Sequence, residues 1–342
     1  MLRLPRFRFV EARTYADAAR LLREHGAGEL DPAKGTPSLR VMTVAGGTDL
    51  FPNMKRRQFT PEVLVSLQRA EGATRLALNG KLDAGAGVTL ATLATHPVIR
   101  ERWTALALAA ASVSTPQLRN AGTIGGNLCL DTRCNWYDQS LFWRSAEGFC
   151  MKTHPEVVCR VALSSPRCLA VASADTVPAL LALGATVRIE GEGGARDVPL
   201  TDLYREDGIR FLTIGRDDVV ASVSLPDPTA WTSTYIKARE RGSFDFPLVG
   251  IAAAVRLEGD IIAEARVAIT AVASRATIVE GAASALVGSR LDDAAIGAAA
   301  DAVHKVARPM DNTAGTISQR KRTARVFAER ALASLRPRWT ER

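Results

Sequence analysis

The hydrophobic pattern changes period several times along the chain, and each change marks an element. "FRFVEA" (7–12) reads as a short strand. "TYADAARLLREHG" (14–26) spaces its apolar residues for a helix, with Thr14 as N-cap, Asp17 at the capping-box position and Gly26 as C-cap. Residues 27–38 read as a Gly/Pro loop. "LRVMTVAGG" (39–47) is a buried strand running into a glycine turn. "DLFPNMKRRQ" (49–58) is a short polar segment, and "VLVSL" (63–67) is a second buried strand. Together they predict a small α/β unit.

The middle of the chain has a different texture. "RLALNGKLDAGAGVTLATLATHPVIRE" (75–101) predicts short alternating strands, then a helix from about Thr92. "RWTALALAAASV" (102–113) is an apolar helix. "TVPALLALGATVRIEG" (176–191) is a helix, then a strand after Gly184. "DVPLTDLY" (197–204) and "DDVVASVSLP" (217–226) continue a mixed pattern. Pro226 and Pro228 mark a boundary. Beyond it, two long strands meet at Gly259-Asp260 as a hairpin, and two helices, about 291–307 and 315–335, close the chain. The expected class is α+β. The expected domains are 1–228, with subdomains of about 1–68 and 69–228, and 229–342.

Composition narrows the setting. The 342 residues are 47% hydrophobic and 23% charged. No run of about 18 apolar residues marks a transmembrane helix. "MLRLPRFRFVEARTY" lacks the apolar stretch of a signal peptide. The expected compartment is the cytoplasm, where thiols stay reduced. The formal charge is +8. Nucleic acid is one partner such a charge suits, but the basic residues are scattered and no nucleic-acid-binding motif accompanies them. An anionic cofactor or an acidic protein is the better counterpart. His25, His96, His154 and His304 are dispersed and make no triad or metal pattern.

Two glycine turns follow apolar stretches: "VAGGTDL" (44–50) and "GTIGGN" (122–127). Glycine allows positive φ and close approach, and successive amides in such turns converge on anions. Thr48 and Thr123 could add hydroxyl donors. Neither turn is a P-loop, and "GAGVTL" (85–90) lacks the third glycine of a dinucleotide fingerprint.

All five cysteines, Cys129, Cys134, Cys150, Cys159 and Cys168, fall within residues 129–168. The spacing C-x4-C-x15-C-x8-C-x8-C matches neither a zinc ribbon nor a ferredoxin run. Cys129 belongs to the glycine turn. Cys134, Cys150, Cys159 and Cys168 span the loop and are the expected metal ligands, for structural zinc or for an iron–sulfur cluster. Five inert buried thiols are the plainer alternative. Trp136, Tyr137, Phe142, Trp143 and Phe149 would shield a cluster, or form a local core.

Four motifs, "VAGGTDL", "LRNAGTIGGNL", "ADTVPALLALGA" and "YIKARERGSFDFPLVGIAAAV", come in an order that resembles the flavin-binding subunit of molybdenum hydroxylases. The resemblance spans nearly the whole chain. The cysteine loop further resembles one branch, the β subunit of 4-hydroxybenzoyl-CoA reductase, which carries a [4Fe–4S] cluster in an insertion at this place. The resemblance implies a two-subdomain FAD-binding domain of the PCMH/VAO type, then a C-terminal α+β domain. It implies FAD on Val44, Ala45, Gly46, Gly47, Thr48, Asp49, Leu50 and Phe51, and on Thr123, Ile124, Gly125, Gly126 and Asn127. Asp175 would stand on the flavin side and Lys237 near the isoalloxazine.

The function so implied is electron relay for the reductive dehydroxylation of 4-hydroxybenzoyl-CoA or a similar aromatic acyl-CoA, with the substrate chemistry on another subunit. The partners would be a large molybdenum-cofactor subunit, a small [2Fe–2S] subunit and a ferredoxin-like donor, in a heterotrimer or its dimer. Arg133, Arg144 and Lys152 are the expected docking charges for that donor. One alternative is the flavin subunit of a hydroxylase or dehydrogenase that oxidises a heteroaromatic, an aldehyde or CO. Another is a zinc-stabilised binding protein without flavin.

Overall fold

The computed structural model describes residues 2–26 and 40–336. The loop expected over 27–38 lies outside the described residues. Three sheets organise the described residues.

The first sheet is parallel, in the order β1 (Arg8–Glu11), β3 (Val63–Ser66), β2 (Val41–Val44). β3 is central and buried at all four positions, as its unbroken apolar run requires. Helix α1 (Tyr15–Gly26) buries Ala18, Ala19, Leu21 and Leu22. The Thr14 hydroxyl accepts the Asp17 amide at 3.0 Å, and the Asp17 carboxylate reaches back to the Arg13 amide. The segment expected to be merely polar contains a helix, α2 (Leu50–Lys55). Pro52 falls in its first turn, where no amide donor is needed.

The second sheet is antiparallel, ordered β4 (Leu76–Ala77), β5 (Leu82–Gly85), β8 (Val219–Leu225), β6 (Thr186–Gly191), β7 (Gly194–Pro199). Between β5 and β6 the chain makes α3 (Leu90–Thr95), α4 (Pro97–Arg102), α5 (Thr104–Ser112), α6 (Pro116–Ala121), α7 (Ile124–Leu128), the cysteine loop with α8 (Leu141–Ala146), and α9 (Thr176–Ala182). Helix α3 starts at Leu90, before the expected Thr92, because Thr89 caps it. All seven residues of α9 are buried. A helix apolar on every side belongs between layers, and α9 packs against α5, β10 and β11.

The third sheet is antiparallel, ordered β12 (Thr277–Ile278), β11 (Ile261–Thr270), β10 (Val249–Glu258), β9 (Trp231–Ala238). The β10–β11 hairpin turns at Gly259, with φ +61°. Alternate residues of β10 serve two cores. Ile251, Ala253 and Val255 meet α10 (Glu280–Leu286), α11 (Asp293–Val306) and α12 (Ile317–Ala333). Ala252 and Ala254 join the core of the preceding domain. The sheet is therefore covered on both faces, which explains the unbroken "VGIAAAV" run. Helix α10 had no sequence signal of its own. Its role is to cover β11.

Candidate functional site

The turn after β2 is the first candidate. Among the described residues, no atom accepts a hydrogen bond from the amides of Ala45, Gly46, Gly47, Thr48 or Asp49. Five consecutive amides without an acceptor, with Gly47 at φ +67°, are a donor set suited to an anion. Gly46 is required for a different reason. A Cβ there would overlap the carbonyl oxygen of Ala121. The two glycine motifs thus lie backbone against backbone.

The second motif is built differently. Ile124 donates to Val88 O, Gly125 to Ala86 O, and Asn127 to Thr123 O, each at 2.9 Å. The Gly126 amide donates to the Thr123 hydroxyl at 3.1 Å, the N-cap of α7. The amides of Ile124, Gly125, Gly126 and Asn127 are thus all used within the protein, unlike those of the first motif. Asn127 is also engaged, its Oδ1 accepting from the Thr176 amide and hydroxyl at 3.2 and 2.6 Å.

Asp175 and Lys237, 62 residues apart, form a buried ion pair at 2.9 Å. Lys237 Nζ also donates to Ser112 O at 3.0 Å and Asp245 O at 2.7 Å. All three ammonium donors are filled, so Lys237 is no surface lysine. Asp175 precedes α9 but makes no capping bond. Its carboxylate faces Lys237 and the Tyr235 hydroxyl, at 2.6 Å. Burial raises the Asp175 carboxyl above its ordinary range, against the pull of Lys237 and Tyr235. Tyr235 was not anticipated. Its signal was alternation, since residues two apart on β9 share a face with Lys237.

The cysteine loop closes on itself. Cys134, Cys150, Cys159 and Cys168 are each buried and line one cavity, together with Trp136, Tyr137 and Lys152. Cys129 is half-buried and packs instead on the main core. Burial pushes the Cys134 thiol up to about 12, Cys168 to about 11 and Cys129 to about 12. Among the described residues, no group of three or more His, Cys, Asp or Glu stands as a ready site for a metal ion. Of the expected aromatic shell, Trp136 and Tyr137 line the cavity, and Trp143 packs on Trp136 with centroids 5.9 Å apart. Phe149 stacks on His154, and Phe142 is 84% exposed.

The three expected docking charges are not on the surface. Arg133, Arg144 and Lys152 are 4%, 1% and 5% exposed. Arg144 donates to the carbonyls of Arg56 and Arg57, at 3.3 and 2.9 Å. Gln58 Nε2 donates to Tyr137 O and Asp138 Oδ1, both at 3.1 Å. These bonds pin the loop to the end of α2. A buried guanidinium needs acceptors; Arg144 takes two from carbonyls far away in sequence and one from Gln139 O nearby.

A profile of the FAD-binding domain in molybdopterin dehydrogenase matches residues 5–228. The chain belongs to this family. The CO dehydrogenase flavoprotein C-terminal domain matches residues 233–335. The carbon monoxide dehydrogenase medium chain of Hydrogenophaga pseudoflava is 26% identical, over 96% of each chain. The aldehyde oxidoreductase FAD-binding subunit of Escherichia coli is 31% identical, over 70% of this chain and 77% of that one. A solved structure of the Hydrogenophaga carbon monoxide dehydrogenase superposes with a TM-score of 0.77 at 24% identity, over 97% of each chain. As an FAD subunit of the molybdopterin dehydrogenases, the chain is part of an oxidoreductase. None of its described helices is long and apolar enough to cross a membrane.

Proposed function

We propose that this chain carries FAD and passes electrons within a molybdenum hydroxylase or dehydrogenase whose substrate is oxidised on another subunit. The observation that carries the reading is the run of free amides from Ala45 to Asp49, which suits the FAD pyrophosphate. Leu50 and Phe51 begin the helix behind it. Ala121 and Gly122, at the start of the second glycine motif, lie against that turn at Gly46. When bound, the flavin supplies both one- and two-electron exchange. The partners in this reading are a large molybdenum-cofactor subunit and a small [2Fe–2S] subunit, in a heterotrimer or its dimer. The relatives' names favour oxidation of a small substrate such as an aldehyde or CO.

The cysteine cavity favours a second reading for the loop. Four cysteines on one wall, with a fifth excluded, suit a [4Fe–4S] cluster on Cys134, Cys150, Cys159 and Cys168. A single zinc ion would gather its thiolates closely. A four-iron cube spaces its four thiolates farther apart. With a cluster, the chain would resemble the β subunit of 4-hydroxybenzoyl-CoA reductase, and electrons from a ferredoxin-like donor would run towards the molybdenum subunit. The three buried basic residues take no part in docking that donor.

Anaerobic purification of the complex, with flavin, iron, sulfide and zinc assays, tests both readings. One FAD per chain is expected, and its absence refutes the first. Four irons and four sulfides beyond those of the [2Fe–2S] subunit support the second. Zinc in their place refutes it.

A further inference from the structure

Lys152 is the buried cation of the cysteine cavity. Its residue lines the same wall as the four cysteines. Its ammonium donates to Asp131 Oδ1 at 2.7 Å, Thr132 Oγ1 at 2.5 Å and Gly208 O at 2.7 Å. The Tyr137 ring lies 4.7 Å from it. Three donors are thus fixed by three acceptors, and the ammonium cannot swing out to water. Gly208 ties this arrangement to the sulfur. Its amide donates to Cys168 O at 2.9 Å, and a Cβ on Gly208 would stand 2.7 Å from Cys168 Sγ. The carboxylate paired with it, Asp131, has a side chain 15% exposed; a second carboxylate, Asp138, accepts from the Cys134 amide at 3.2 Å and is unchanged in the variants below. Arg160 also lines the cavity, but it is only half-buried and its guanidinium turns to the carbonyls of Glu147 and Phe149.

We propose that Lys152 sets the reduction potential of the cluster in this cavity, with Asp131 as its counterweight. The proposal rests on the [4Fe–4S] reading above. Reduction adds one electron and no proton, so it adds one negative charge to a site shielded from water. A fixed cation beside the cluster favours that added charge, and a fixed carboxylate opposes it. The pair as built is close to neutral. Removing Lys152 leaves the Asp131 carboxylate uncompensated and makes reduction harder. Removing the Asp131 charge leaves the ammonium and makes reduction easier. Lys152 is a tuning residue: it is not a ligand and touches no substrate.

The test is a mediated redox titration of the anaerobically purified complex with dithionite, followed by the electron paramagnetic resonance of the reduced cluster. Iron and sulfide are measured first. Absence of the additional cluster in wild type would refute the cluster reading and this proposal with it, whereas full occupancy isolates the tuning claim. Lys152→Met should lower the midpoint potential and Asp131→Asn should raise it. The double variant should return near the wild-type value, because the two charges leave together. A merely structural role would move both single variants in the same direction, and the double further still. If Lys152→Met fails to retain iron, Asp131→Asn decides: an unshifted potential at full iron content overturns the proposal. Equal potentials in wild type and Lys152→Met do so directly.

Discussion

Arg133, the residue before Cys134, places its guanidinium on the carboxylate of Asp49, the last residue of the free-amide turn. The two lie 84 positions apart in sequence. Arg133 also packs over the Phe246 ring at 4.6 Å and reaches Asn53 Oδ1 at 3.5 Å. One side chain therefore joins the cysteine loop to the FAD-binding turn.

Arg133→Ala should weaken FAD retention. Breaking a fully buried pair costs about 3–5 kcal/mol. The Asp49 side chain is 33% exposed, so solvent screening reduces the expectation to about 1–3 kcal/mol. Flavin-to-protein ratios after gel filtration, with the melting temperature, are the measurements. Full FAD retention by Arg133→Ala would show that the two sites are independent.

The glycines should differ sharply in tolerance. Gly46→Ala drives a methyl into the Ala121 carbonyl and should destabilise by about 1–3 kcal/mol or more. Gly126→Ala meets only the Thr123 hydroxyl, at 3.2 Å, and should stay within about 1 kcal/mol of wild type. Chemical denaturation of the two variants provides the comparison. Equal losses would mean that the backbone contact between the motifs does not set the requirement.

Among the cysteines, Cys150→Ser should lose iron and sulfide from the loop while Cys129→Ser keeps them, because only Cys150 lines the cavity. The reverse pattern would reassign the ligand set.

Lys237→Met should strand Asp175 without its cation and destabilise by about 3–5 kcal/mol at neutral pH. The Asp175 carboxyl is already raised by burial, and losing Lys237 raises it further. A carboxyl raised in the folded state favours folding at low pH, and that contribution is lost as pH rises through its folded value. The deficit of the variant against wild type should accordingly shrink in acid. Adding Asp175→Asn should restore much of the stability at neutral pH. Urea midpoints across pH give the answer, and a deficit independent of pH would exclude an uncompensated carboxylate as its cause.

Much of the architecture was legible in the sequence because it depends on local pattern. Apolar runs such as 63–65 and 249–255 read as strands in the sequence and are strands in the fold. The place of Cys129 in the glycine motif set it apart in sequence from the four cysteines of the loop. Helices α2 and α10 were missed because their stabilisation comes from what they cover, not from their own periodicity. Neither has a strong local start signal: no side chain caps Leu50–Lys55 or Glu280–Leu286.

What the tertiary structure alone decided was which polar groups are free. "GGTD" and "TIGGN" look alike as glycine turns, yet amides of the second meet the carbonyls of Ala86 and Val88, while those of the first meet none among the described residues. "TRCNW" and "CMKTH" offer two basic residues that any local reading would leave in water. They are buried because Asp49, 84 positions from Arg133, and Gly208, 56 positions from Lys152, supply their acceptors. Apolar periodicity is a property of neighbours in sequence. Satisfying a charge or an amide depends on neighbours in space, and only the folded chain supplies those.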